Sequence, residues 1–280
     1  MRPDCIPEYR NISEANASAL QTRMDTHTIT TGTGPPILLL HGFTGSAAEW
    51  ADLTPRLAPR RQVVAVNLPG HGALSVRTCS MEHAVADLLA TMESLGHTQF
   101  DVVGYSLGGR VALHLAIAAP ERVRSLILES ASPGLADPAE RAARAAADNA
   151  LADQIMAQGV EWFADYWQNI PLFASQASLP AETRAALRAR RLRNTPAGLA
   201  SSLRGMGTGR QESLWQRLGE LAMPALLITG ALDTKFVAIN QQMATLMPNA
   251  RHVSLPATGH AAHLERPQAF ADLVVGYTPS

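Results

Sequence analysis

Five consecutive residues, Gly104-Tyr105-Ser106-Leu107-Gly108, have the form Gly-x-Ser-x-Gly, a spacing suited to a serine that acts as nucleophile or proton acceptor. A β-prone apolar run at 100–104 precedes the serine and a helical pattern over 107–118 follows it, so Ser106 falls on a sharp strand-to-helix turn. The flanking glycines leave room for a strained backbone, and the start of the helix turns the positive end of its dipole toward the hydroxyl. Such a serine needs a base, and the base needs an acid to orient it. Asp233 stands just past the apolar run ALLITG at 225–230, and His260 lies in the loop after the run at 251–255. A turn aspartate or a capping histidine is common singly. The chain order Ser, Asp, His with each member at the end of a strand points to one catalytic set. His263, three residues on, leans into the following helix, so His260 is the expected base. The loop opening with His41-Gly42-Phe43, after the apolar run at 37–40, offers the backbone N–H of Phe43. With the N–H of Leu107 it would hold a developing oxyanion.

The elements that must position these groups are legible as alternation. Short apolar or β-prone runs at 37–40, 63–66, 100–104, 126–129 and 225–230, with a shorter strand at 251–255, alternate with helical patterns at 81–95, 107–118 and 267–275. Strands separated by helices pair in parallel through right-handed crossovers, which predicts an α/β, doubly wound, mostly parallel sheet. Between 136 and 221 the strand signal vanishes and helical segments remain at 139–158, 161–168, 181–193 and 198–203. This stretch predicts a helical cap over the carboxyl ends of the strands, inserted before the strand that leads to Asp233. The core is then 24–135 with 222–280, and residues 1–23, polar and without period, read as a disordered N-terminal extension.

At 280 residues, 46% hydrophobic and 17% charged, the chain can bury one large core, and its formal net charge of −1 gives no reason to expect nucleic acid as a partner. No apolar run approaches the ~20 residues of a membrane span, and the N-terminus lacks the basic-then-apolar order of a signal peptide. A cytoplasmic monomer or small homo-oligomer without membrane contact is the expectation. Cys5 and Cys79 are too few for a disulfide framework, and no His/Cys/Asp cluster has ligand spacing, so no metal and no cofactor is expected. Of the 23 basic residues all but Lys235 are arginine. Most read as composition bias on a solvated surface, but Arg110 lies one helical turn after Ser106 and on its face of the helix.

Beyond these residues, longer segments carry a resemblance: HGFTGSAAEW at 41–50, LPGHG at 68–72, GYSLGGR at 104–110, SPGL and ERAAR within 132–144, WQNIPLF at 167–173, LDTKF at 232–236 and GHAAHLE at 259–265. The chain resembles the α/β-hydrolase family from about 37 to 277 and, through its cap segments and LDTKF, a branch of it active in menaquinone biosynthesis. The resemblance implies the α/β-hydrolase fold and a lyase rather than an ester-cleaving reaction. Its substrate would be a cyclohexene tricarboxylate bearing a succinyl chain and an enolpyruvyl ether, from which pyruvate is eliminated to leave a conjugated diene. Ser106, His260 and Asp233 would abstract the proton, Phe43 and Leu107 would hold the enolate, Arg110, Arg144 and Arg191 would bind carboxylates, and Tyr105 and Trp167 would line the pocket. A serine hydrolase of esters or of vinylogous keto-acid C–C bonds would use the same three catalytic residues and is the alternative. One departure is Asn67, which stands before LPGHG where the family has aspartate.

Overall fold

The computed structural model describes residues 22–24, 28–72 and 79–277. Eight strands form one sheet: β1 (Thr22–Met24), β2 (Thr28–Thr31), β3 (Pro36–Leu40), β4 (Gln62–Val66), β5 (Phe100–Tyr105), β6 (Val123–Glu129), β7 (Ala225–Gly230) and β8 (Ala250–Leu255). Their spatial order is β1-β2-β4-β3-β5-β6-β7-β8. The β1–β2 and β2–β4 pairs are antiparallel, and every pair from β4 to β8 is parallel. The helices are α1 (Thr54–Leu57), α2 (Met81–Ser94), α3 (Leu107–Ala118), α4 (Pro138–Gln168), α5 (Ala181–Arg191), α6 (Pro196–Met206), α7 (Thr234–Leu246), α8 (Ala262–Glu265) and α9 (Pro267–Tyr277). The mostly parallel α/β architecture expected from the alternation of strands and helices is the one observed.

Strand periodicity explains how one sheet serves two cores. Leu38 and Leu40 of β3 point into the layer built with α2, α3 and α7, while Ile37 and Leu39 point into the layer with α1 and α9. Both faces are covered, so β3 to β7 are apolar along nearly their whole length, as a buried parallel sheet requires. Asp101 is one exception. Fully buried at the start of β5, it accepts hydrogen bonds from Arg61, Arg124 and Ser125, tying the amino end of β5 to those of β4 and β6.

Two stretches have no counterpart in the sequence reading. β2 is TITT, a threonine-rich strand near the sheet's edge without an apolar run, and α7 follows Asp233 directly. The extension expected over 1–23 lies outside the described residues, except that Thr22 and Arg23 belong to β1. Between β6 and β7 lie α4, α5 and α6 with short 3-10 turns at Pro171–Ser178 and Trp215–Glu220. Asp137 caps α4 by accepting the N–H of Ala139 at 2.6 Å, and Gly159, at φ 87°, breaks the helix internally. Ala152, Ile155 and Phe163 of α4 bury against Leu199, Ala200 and Leu203 of α6 in a small core of their own.

Replacing Asp101 by alanine leaves the Arg61 guanidinium, 5% exposed, without its carboxylate. The expected loss is about 3–5 kcal/mol, the usual cost of removing one partner of a buried ion pair, read as a lower urea midpoint with an unchanged slope.

Candidate active site

The turn after β5 forces Ser106 to φ 49° and ψ −105°, a backbone that L-residues rarely adopt. It is held from several sides. The Ser106 N–H donates to the carbonyl of Glu129 at 2.8 Å, and a Cβ on Gly104 would stand 2.5 Å from the carbonyl oxygen of Gly108. Gly108 itself sits against the carbonyl of Leu40 at the end of β3, with no room for a side chain. Leu107 is the first residue of α3, so its N–H has no acceptor within the helix and is free to face a ligand oxygen.

The other two members arrive from neighbouring strand ends. β7 leads to Asp233 at the start of α7, and the loop after β8 carries His260. The β7–β8 register, Gly230 opposite Leu255, continues into the loops, where the N–H of Leu232 donates to the carbonyl of Thr258 at 2.9 Å. His260 Nδ1 lies 2.6 Å from Asp233 Oδ2, and its Nε2 lies 3.0 Å from Ser106 Oγ. With Nδ1–H donated to the carboxylate, Nε2 is left as acceptor for the serine proton. Phe236, Tyr105 and Phe173 surround the imidazole, with ring centroids 4.6, 5.5 and 5.9 Å away, and His260 is 1% exposed.

Ser106 and His260 open on a cavity of about 740 Å³ between the sheet and the helices of 138–206. Phe43, Leu107, Arg110, Arg144 and Trp167 line it, and so does Lys235. Arg110 donates to the carbonyl of Met206 at 2.7 Å and to Gln211 Oε1 at 3.1 Å, both neutral acceptors. Burial, and after it the positive charge of Arg144, lowers the Arg110 guanidinium to about 10, so it remains a cation at neutral pH. Arg144 uses its Nε on Asp148 at 2.8 Å. The wall also carries unpaired polar atoms, two of them on serines that the sequence reading did not name. Ser130 Oγ, Ser202 Oγ and Trp167 Nε1 are buried without a hydrogen-bond partner among the described residues, and Ser130 holds a positive φ of 47°. Nothing in the local sequence marks Ser130, because its position depends on where β6 ends beside β5.

Two residues expected in this cavity are elsewhere. Arg191 is on the buried face of α5 with Leu187 and lies 5.7 Å from the Phe173 ring, which in turn packs on His260, so an aromatic ring stands between Arg191 and His260. It borders two smaller pockets instead. Tyr105 is 5% exposed and lies under the site, its ring 5.5 Å from His260 and 4.6 Å from His263. It borders one of the same small pockets, not the cavity that Ser106 opens on.

Beneath Tyr105 is a buried ionic cluster. The N–H of His263 donates to Glu129 Oε1 at 3.0 Å, its Nδ1 stands 2.9 Å from Glu129 Oε2, and its Nε2 lies 3.7 Å from Glu49 Oε1. Glu49 in turn accepts the N–H of Gly42 at 3.1 Å, next to Phe43. Burial alone would lower the His263 imidazole, but the charge and hydrogen bond of Glu129, joined by Glu49, raise it to about 10. Burial would push the Glu49 carboxyl up, yet the bond and charge of His263 hold it below its ordinary value. His41, close by, is the opposite case. Burial lowers its pKa, and its ring accepts the N–H of Leu68 at Nε2 while Nδ1 lies 2.7 Å from the carbonyl of Gly42, as a neutral imidazole does. Asn67 keeps the loop bond expected of an aspartate, accepting the N–H of Ala47 at 2.7 Å.

A parallel sheet carrying a strained serine, a carboxylate and a histidine at three strand ends, under a helical cap, defines an α/β hydrolase. Residues 35–267 match the family model for the alpha/beta hydrolase fold, and the chain belongs to that family. A protein of Serratia proteamaculans (strain 568) named 2-succinyl-6-hydroxy-2,4-cyclohexadiene-1-carboxylate synthase is 34% identical over 239 residues, 85% of this chain and 90% of its own. A Bacillus subtilis (strain 168) protein given the same name provisionally is 42% identical over 248 residues, 87% of this chain and 90% of its own. The solved structure of MenH from S. aureus superposes with a TM-score of 0.87 at 33% identity, over 90% of this chain and 98% of that one.

The His263 cluster makes stability depend on pH in a defined direction. His263 titrates at about 10 in the folded chain, above its ordinary 6.5, so its contribution is complete below pH 6.5 and is lost as pH rises through 10. Urea unfolding is expected to show stability declining across that window. In His263→Gln this component of the slope disappears, and stability at the acid end of the window is lower by about 3–5 kcal/mol.

Proposed function

We propose that the chain is a carbon–oxygen lyase of menaquinone biosynthesis. It eliminates pyruvate from 2-succinyl-5-enolpyruvyl-6-hydroxy-3-cyclohexene-1-carboxylate to give 2-succinyl-6-hydroxy-2,4-cyclohexadiene-1-carboxylate. The observation that carries this reading is a single cavity uniting the Ser106–His260 pair with Arg110, a cation whose hydrogen-bond acceptors among the described residues are neutral, in a chain 42% identical to a relative bearing the synthase name. An ester-cleaving enzyme has no need of fixed cations at that distance from the serine, whereas a tricarboxylate has.

The reaction follows from the geometry. With His260 ready to receive its proton, Ser106 Oγ takes the hydrogen on the ring carbon beside the succinyl ketone. The electron pair moves onto the ketone oxygen, where the N–H groups of Leu107 and Phe43 stabilise the enolate. It then returns through the ring double bond, breaking the bond between ring carbon and ether oxygen and releasing pyruvate as its enolate, which takes up the proton held by the Ser106–His260 pair. No acyl group forms on the serine. Arg110, one turn along α3, and Arg144 bind substrate carboxylates and fix the ring over Ser106.

Pyruvate release can be followed by coupling to lactate dehydrogenase. Ser106→Ala is expected to lower kcat by about 10²–10⁴-fold, the range typical of a lost general base. Arg110→Ala is expected mainly to raise KM, by the ~1.5–3 kcal/mol that a charged hydrogen bond is worth. No pyruvate above the uncatalysed rate, or an acyl-enzyme burst with p-nitrophenyl esters in its place, would return the chain to the serine hydrolases.

A further inference from the structure

A tricarboxylate calls for three positive groups, and the cavity wall provides two arginines. Arg191 borders two neighbouring pockets rather than this cavity, with the Phe173 ring between it and His260. Lys235 does line the cavity. It stands in the first turn of α7, two residues after Asp233 and next to Phe236, whose ring packs on His260 at 4.6 Å.

Three observations bear on the role of Lys235. Arg56, Arg188, Arg204 and Arg217 each hold a carboxylate, whereas the Lys235 ammonium has no acceptor among the described residues. A cation in the first turn of a helix also opposes the helix dipole, so this placement works against the stability of α7 and favours an anion arriving there. Finally, Lys235 is the one lysine in a chain whose other basic residues are all arginine. An ammonium on a flexible four-carbon stem reaches from an exposed rim and follows a carboxylate whose position varies, which a rigid guanidinium fork does less well.

We infer that Lys235 is a substrate-positioning residue, its ammonium pairing with the substrate carboxylate that Arg110 and Arg144 leave unmatched. The inference rests on the tricarboxylate reading above. Lys235 is exposed and takes no part in proton transfer, so its loss affects binding and leaves the chemical step intact.

The test compares Lys235→Met and Lys235→Arg in the pyruvate-release assay at low and moderate salt. Lys235→Met is expected to raise KM about five- to tenfold with kcat within about twofold, and Lys235→Arg to restore most of the loss. Added salt should lower kcat/KM of the unaltered enzyme more steeply than that of Lys235→Met, since an exposed charge is screened. A second readout uses the solitary lysine directly. Reductive methylation with ¹³C-formaldehyde labels only Lys235 and the terminal amine, and the lysine signal of labelled Ser106→Ala should shift saturably on titration with the enolpyruvyl substrate. If the unaltered protein releases pyruvate but Lys235→Met keeps its KM and the signal stays still, the Lys235 assignment is overturned and the lyase reading stands. If the unaltered protein releases no pyruvate, the lyase reading fails first and takes the assignment with it.

Discussion

Ser106 holds φ 49° and ψ −105°, a conformation that costs an L-residue of order 1–3 kcal/mol and persists only where its surroundings over-determine it. The parallel sheet does that here. One neighbour, β6, accepts the Ser106 N–H through the Glu129 carbonyl, and the other, β3, ends so close to Gly108 that the start of α3 cannot shift. Once that turn is fixed, the partners follow from register. β7 and β8 end together, Gly230 opposite Leu255, and their loops hydrogen-bond to each other beyond the sheet. Asp233 and His260 are therefore set by backbone pairing before any side-chain contact is made.

Two imidazole–carboxylate pairs lie three residues apart in the chain and have opposite uses. His260 has Asp233 at one nitrogen and the Ser106 hydroxyl at the other, so it is oriented and still has a proton to receive. His263 has Glu129 at one nitrogen and Glu49 beyond the other, so its proton is held between two carboxylates. The cluster joins the carboxyl end of β6, whose Glu129 carbonyl holds the Ser106 N–H, to the loop that carries Phe43. The chemistry above depends on this charge staying where it is, because a buried ion pair that loses one member leaves the other uncompensated.

The fold was legible because most of the buried parallel strands are apolar runs, and Ser106, Asp233 and His260 because each lies just beyond the carboxyl end of a strand, in the chain order a catalytic set requires. β2 was not, since TITT draws its stability from pairing with β4 rather than from an apolar stretch. Glu129 and His263 meet across 134 positions, and no local pattern encodes that contact. Arg191 borders neighbouring pockets rather than the cavity for a related reason. Which face of a cap helix meets the cavity is decided by how Phe173 packs between α5 and His260, a tertiary fact that helical spacing cannot supply.

The break at Gly159 divides α4 into two levers on one pivot. The first carries Glu140 and Arg144, and the second carries Phe163 and Trp167, which pack with Phe43 over the serine. On the lyase reading, the groups for charge and for shape that α4 contributes therefore sit on separate stretches of helix, so the aromatic wall can be altered without moving Arg144.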